Sequence, residues 1–129
     1  MKHKILLLSA NYYKDISREL CVDAYKTLKD HGNAEYDEMI VIPGVFEIPV
    51  LISRNIEKYD GFVALGCVIK GETPHFDFIS RATTDAIMNL SITHKKPIGN
   101  GILTCLNYDQ AKLRAAANGK IRKGREAAQ

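Results

Sequence analysis

A parallel α/β fold, one sheet with helices on both faces, is what this sequence predicts, and three observations predict it. Short, continuous apolar runs recur at Ile5 to Leu8, Met39 to Ile42, Phe62 to Leu65 and Ile102 to Cys105. Segments whose apolar residues recur at helical spacing lie between them. The length, 129 residues, matches one domain on a scale of roughly 100–200 residues each. Strand alternating with helix calls for a parallel sheet covered on both sides.

The elements follow in order. Ile5-Leu6-Leu7-Leu8 has no polar alternation, as expected of a strand buried on both faces, and Ser9 and Asn11 close it. Ile16, Leu20, Ala24 and Leu28 recur every four residues and mark an amphipathic helix that His31-Gly32 is able to end, glycine taking the left-handed conformation. Met39 to Ile42 is a second strand stopped by Pro43-Gly44; Pro49 fits only the first turn of a helix running through Ile56. Asp60-Gly61 leads into the third strand, Phe62 to Leu65, and residues 66–74 read as a polar, glycine-flanked loop. Ile79, Ala82, Ala86, Ile87 and Leu90 trace a helical face ending near Pro97. After the fourth strand, a helix from about Asp109 to Ala117 and a basic stretch complete the chain.

With 46% apolar and 26% charged residues and no apolar stretch of about 18 or more, the chain belongs to the soluble globular class, without a membrane span. Ile5 to Leu8 is too short for a signal-peptide core, so a cytoplasmic location is expected. Cys21, Cys67 and Cys105 are odd in number and lack C-x-x-C spacing, which writes neither a disulfide framework nor a zinc site; buried thiols and no metal are expected. The net charge of +3 is uneven: residues 110–125 carry six cations and no acid, leaving 12 basic and 15 acidic residues elsewhere. Such a cluster is able to bind nucleic acid, but it lacks interleaved aromatics and any nucleic-acid motif, and no nucleic-acid partner is expected.

In parallel sheets ligands bind outside the carboxyl ends of the strands. That rule selects Ser9 to Tyr13, Pro43 to Glu47, Gly66 to His75 and Cys105 to Tyr108. In Lys70-Gly71-Glu72-Thr73-Pro74-His75, Thr73 suits a helix N-cap and Pro74 the first helical position, leaving free N–H groups for an anion. His75 in that first turn would be kept neutral by the helix dipole and able to act as a base; an ordinary capped loop with a solvated histidine reads equally well. Glu47 accepts ligand N–H or O–H groups, or merely favours a helix start. Phe46, Tyr12 and Tyr13 stack on a ring, or pack. Arg114 and Lys123 clamp a phosphate, or line a solvated helix face.

Taken together these segments resemble the 6,7-dimethyl-8-ribityllumazine synthase family, in order and over nearly the whole chain. The resemblance rests on Ala10-Asn11-Tyr12-Tyr13, Pro43 to Pro49, Gly66 to Asp77, Gly101 to Thr104, Asp109-Gln110-Ala111 and Lys123-Gly124. It implies a flavodoxin-like three-layer α/β/α sandwich with a four-stranded parallel sheet, spanning residues 1–129 as one domain. It also implies condensation of 5-amino-6-(D-ribitylamino)uracil with 3,4-dihydroxy-2-butanone 4-phosphate, releasing phosphate and water, without cofactor or metal. A flavin- or pterin-binding module without turnover is the alternative on the same architecture.

Carried over by position, Tyr12 stacks on the pyrimidine, and Phe46 and Glu47 hold the ribityl chain. Gly71, Glu72 and Thr73 form the phosphate loop, and His75 transfers protons. Arg114 binds phosphate, with Lys123 in the same pocket, and Val45, Cys67, Val68, Ile69 and Asn100 complete the substrate-binding set. The resemblance further implies a homo-pentamer or larger assembly with sites shared between neighbours, Tyr12, Glu47 and His75 from one subunit and Asn100 and Arg114 from the next. Departures are also present. Lys70 stands where arginine is more usual, and Asn100 stands where many members have an aromatic. One extra residue separates Arg114 from Lys123, which makes Arg122 a competitor. The C-terminal helix is expected to be short.

Overall fold

The computed structural model describes residues 3–31, 34–71, 75–116 and 122–128, with the backbone alone at 31, 34–38, 75 and 76. The expectations that Gly32 ends the first helix and that Thr73 and Pro74 begin the third lie outside the described residues. The chain runs β1 (His3–Ala10), α1 (Lys14–His31), β2 (Ala34–Ile42), a single 3₁₀ turn (Val45–Glu47), α2 (Ile48–Arg54), β3 (Gly61–Ile69), α3 (His75–His94), β4 (Ile98–Cys105), α4 (Tyr108–Ala115) and α5 (Lys123–Ala128). The four strands form one parallel sheet in the order β2-β1-β3-β4.

The two-residue period of a strand divides the core. Leu7, Val63, Leu65, Cys67, Leu103 and Cys105 point to one face, where Ile16, Leu20, Ala24 and Leu28 of α1 meet Ala111 and Ala115 of α4 and Ala127 of α5. Leu6, Leu8, Ala10, Phe62 and Ala64 point to the other, against Val45, Ile48, Ile52 and Ile87. This is the three-layer arrangement expected, with helices on both faces of the sheet.

One expectation is corrected. Residues 66–69 are not loop: β3 continues to Ile69, because Gly66 to Ile69 pair with Ile102 to Cys105 and the Lys70 N–H donates to the Cys105 carbonyl at 2.9 Å. Glycine is required at 66 because a Cβ there would lie 2.5 Å from Val45 Cγ1. The short C-terminal helix expected is α5, Lys123–Ala128. Smaller shifts are local: α2 stops at Arg54, short of Ile56, and β2 and β4 begin several residues earlier than their apolar runs.

Candidate active site

Hydroxyls set the turn from β1 into α1. Ser17 Oγ donates to the Ala10 carbonyl at 2.9 Å and lies 3.0 Å from Ser9 Oγ, which also accepts from Cys21 Sγ at 3.2 Å. All of Ser9 and Ser17 is buried, so these bonds satisfy groups that would otherwise be costly to bury. The Asn11 N–H donates to the Ile42 carbonyl at 2.8 Å, binding the same turn to the end of β2. Tyr12 and Tyr13 are thereby delivered to the carboxyl ends of β1 and β3. There the strand order reverses, the switch point where open α/β sheets bind ligands.

A cleft of about 330 Å³ opens at that point, lined by Ala10, Tyr12, Tyr13, Gly44, Val45, Cys67, Val68, Ile69, Gly71 and Ile79. A larger hollow of about 690 Å³ lies at the amino ends of the strands against Ile5, Leu28, Phe62, Pro97 and Ile98. Its position at the amino ends of the strands, away from where parallel sheets bind ligands, leaves the smaller cleft as the candidate. The ring of Tyr12 is 74% exposed and meets Tyr13 edge-on, with centroids 4.9 Å apart and planes at 75°; Tyr13 in turn lies 6.4 Å from Tyr108. Such an open aromatic face suits a flat ring. Burial, then Cys67, then Tyr12 push the Tyr13 phenol above its usual range, and burial with Cys105 and Asp15 pushes the Cys67 thiol up to about 12. Both groups are neutral wall at ordinary pH rather than nucleophiles.

The structure thus brings together Tyr12, Val45, Cys67, Val68, Ile69 and Gly71. Phe46, 60% exposed, and Glu47 stand beside them in the 3₁₀ turn, where a Cβ on Gly44 would lie 3.2 Å from the Glu47 carboxylate. His75 is the first residue of α3, one turn before the cleft residue Ile79; its side chain, Glu72 and Thr73 lie outside the described residues. Ala10 and Gly44 fall inside the strand-end segments selected from sequence, whereas Ile79, four positions after His75 on one helical face, was read only as part of that helix.

Three residues are not in this chain's own cleft. Asn100 is exposed on the edge strand β4, its side-chain oxygen accepting from the Ile102 N–H at 3.0 Å. Arg114 lies in the last turn of α4, Nη1 donating to the Gln110 carbonyl at 3.3 Å, close enough to the end of β4 to offset part of the burial that raises the Cys105 thiol. Helix α4 is itself well started: Asn107 Oδ1 caps the Gln110 N–H at 2.9 Å while Gln110 Oε1 accepts from the Leu106 N–H at 2.9 Å. Lys123 reaches Glu126 Oε1 at 3.1 Å.

Arg122 is engaged by a residue the sequence did not single out. Asp23, 1% exposed in the middle of α1, accepts from Arg122 Nη2 at 2.6 Å, from Arg122 Nε at 3.2 Å and from the Arg125 N–H at 3.2 Å. The carboxylate is buried while the guanidinium is partly exposed, so the fork satisfies a charge that would otherwise be costly to bury. The exposed Lys123–Glu126 pair is of the class worth about 0–1 kcal/mol. Lys123 is held instead by the exposed Glu126. The tail is less uncompensated than its sequence suggests, because one counter-charge comes from 99 positions away.

Comparison with known proteins agrees with this geometry. The family model described as 6,7-dimethyl-8-ribityllumazine synthase matches residues 2–129. A protein of that name from Agrobacterium fabrum is 41% identical over 130 residues, covering 95% of this chain and 86% of the relative. One from Bartonella tribocorum is 42% identical over 126 residues, covering 95% and 82%. A Rhodopseudomonas palustris protein named 6,7-dimethyl-8-ribityllumazine synthase 1 is 38% identical, covering 97% and 79%. With a cleft at the strand-order switch walled by the expected residues, and a match along almost its entire length, the chain belongs to the 6,7-dimethyl-8-ribityllumazine synthase family.

Proposed function

We propose that this chain is a transferase of riboflavin biosynthesis, condensing 5-amino-6-(D-ribitylamino)uracil with 3,4-dihydroxy-2-butanone 4-phosphate to 6,7-dimethyl-8-ribityllumazine. The observation that carries the reading is the family match over residues 2–129. The uracil amine adds to the butanone carbonyl and water leaves to give an imine. Phosphate is eliminated, and the ribitylamino nitrogen closes the ring with loss of a second water. Every bond change is an addition, elimination or proton transfer, so the reaction calls for no redox cofactor.

In this reading residues 1–129 act as one domain. Tyr12 stacks on the pyrimidine while Val45, Cys67, Val68 and Ile69 wall it, and Phe46 and Glu47 hold the ribityl chain. Gly71, Glu72 and Thr73 cradle the phosphate, and His75 moves protons between nitrogen, carbon and water. Arg114, with Lys123, neutralises the phosphate, and holding both substrates together supplies much of the rest. A cytoplasmic homo-pentamer or larger assembly completes each site. That assembly is supported by Asn100 and Arg114 lying outside their own chain's cleft and by the exposed rings of Tyr12, Phe46 and Phe78. Mixing the two substrates and following the absorbance and fluorescence of the lumazine tests the reaction. Product no faster than the uncatalysed mixture overturns it, and ring binding without turnover points to the non-catalytic module instead. An active monomer in sedimentation overturns the shared site.

A further inference from the structure

We propose that Ser17, buried and outside the cleft lining, is a positioning residue for the uracil substrate: its hydroxyl clamps the turn that carries Tyr12 and so fixes the face on which the ring stacks. This rests on the reading of Tyr12 as the ring-stacking residue.

Tyr12 sits in the middle of the turn, residues 11–13, between β1 and α1. It is largely exposed, so its own packing does little to hold it, and its place follows from the backbone on either side. Ser17 bonds to both sides. Its N–H donates to the Tyr13 carbonyl at 2.9 Å, the ordinary first bond of α1, and its Oγ donates to the Ala10 carbonyl at 2.9 Å, back across the turn. Ala10, Tyr12 and Tyr13 all line the cleft. The backbone bond would survive most substitutions at 17; the clamp onto Ala10 needs the hydroxyl.

The hydroxyl is aimed by its surroundings. A helical serine or threonine commonly bonds the carbonyl four residues back, and Thr27 of the same helix does so, Oγ1 donating to the Asp23 carbonyl at 2.8 Å. Ser17 reaches seven residues back instead. Because a carbonyl only accepts, the Ser17 proton is committed to Ala10, and Ser9 is the donor in the 3.0 Å contact between the two hydroxyls. Cys21 Sγ in turn donates to Ser9 Oγ at 3.2 Å. The bonds therefore run one way, from Cys21 through Ser9 and Ser17 to Ala10. Each polarises the next, in a place where both serines are shielded from water. So oriented, the network ends at the cleft wall.

Binding of the lumazine product, followed by its fluorescence, tests the proposal together with KM for each substrate. Ser17→Ala removes the hydroxyl and leaves the helix bond. The lumazine dissociation constant and KM for the ribitylaminouracil are expected to rise by about fivefold, as for loss of one neutral hydrogen bond. KM for the butanone phosphate is expected to stay within about twofold. Tyr12→Ala is expected to raise the lumazine constant by about tenfold. The double variant decides the route: if Ser17 acts through Tyr12, adding Ser17→Ala to Tyr12→Ala changes the constant by less than about twofold. The same fivefold rise in both backgrounds overturns the proposal. So does a Ser17→Ala chain that unfolds earlier yet binds lumazine like the parent, since Ser17 is then a structural residue. If Tyr12→Ala alone leaves binding unchanged, the stacking reading falls and takes the proposal with it. Should Ser17→Ala fail to fold, Ser17→Cys, similar in shape with a weak S–H donor, takes its place. A raised constant that disappears in the Tyr12→Ala background supports the proposal, and a parent-like constant overturns it.

Discussion

The cleft and the seat of α5 are built on opposite terms. At the cleft, the Tyr12 and Phe46 rings are largely exposed and the described walls are small or apolar. At the seat of α5 the glycines leave no room for a side-chain carbon. A Cβ on Gly99 would lie 1.7 Å from the Ala127 carbonyl oxygen, and one on Gly101 2.9 Å from Ala127 Cβ. Asp23 there has its donors supplied by Arg122 and Arg125. One region leaves aromatic rings open, while the other packs glycine backbone and a buried carboxylate against α5 and the residues before it. Changes at the cleft should therefore alter rates, and changes at the seat should alter stability.

The largest expected effect breaks the seat. Gly99→Ala drives a methyl group into backbone that cannot move aside, and a loss of about 3 kcal/mol or more is expected in urea unfolding. A loss below about 1 kcal/mol would show that α5 is free to shift. His75→Ala tests the other region: turnover should fall on the order of a hundredfold, with pyrimidine binding nearly intact and the unfolding midpoint unmoved. Wild-type turnover in this variant would remove the histidine from proton transfer.

Cys67 sharpens the comparison, since it belongs to both the core and the cleft wall. Its thiol is pushed from 9.0 up to about 12, so folded and unfolded chains are equally neutral there below pH 9. Above pH 9 the unfolded chain ionises first. The stability owed to the neutral thiol is thus whole below pH 9 and lost as pH climbs toward 12. The unfolding midpoint should fall more steeply between pH 9 and 11 in the parent than in Cys67→Ala; parallel curves would place the thiol in water. The smallest effect concerns neither region. Lys95 holds φ 55 just past the end of α3, a left-handed conformation in which glycine is unstrained. Lys95→Gly should raise stability by about 0.5 kcal/mol with kinetics unchanged.

Much of the fold was legible because its causes are local. Ile5 to Leu8 and Phe62 to Leu65 carry their burial in their composition, and Ile16, Leu20, Ala24 and Leu28 carry α1 in their spacing. Pro49 marks the start of α2 because its ring excludes any later position. The extension of β3 through Ile69 was not legible, since Gly66 looks like a loop residue until Val45 is packed against it. The candidate site followed the same division. Tyr12, Val45, Cys67 and Gly71 could be assigned to strand ends, whereas Ile79 enters only once α3 is docked.

By itself, then, the sequence determined a parallel sheet, the strand ends at which a ligand would lie, and the family to which the motifs point. These depend on periodicity and on residues a few positions apart. Only the tertiary structure decided that Ile79 joins the cleft, that Gly99 and Gly124 serve close packing, and that Asp23 pairs with Arg122 of the basic tail. The physical reason is separation. A carboxylate and a guanidinium 99 positions apart leave no local pattern, and what their contact does depends on burial that exists only after the helices have met the sheet.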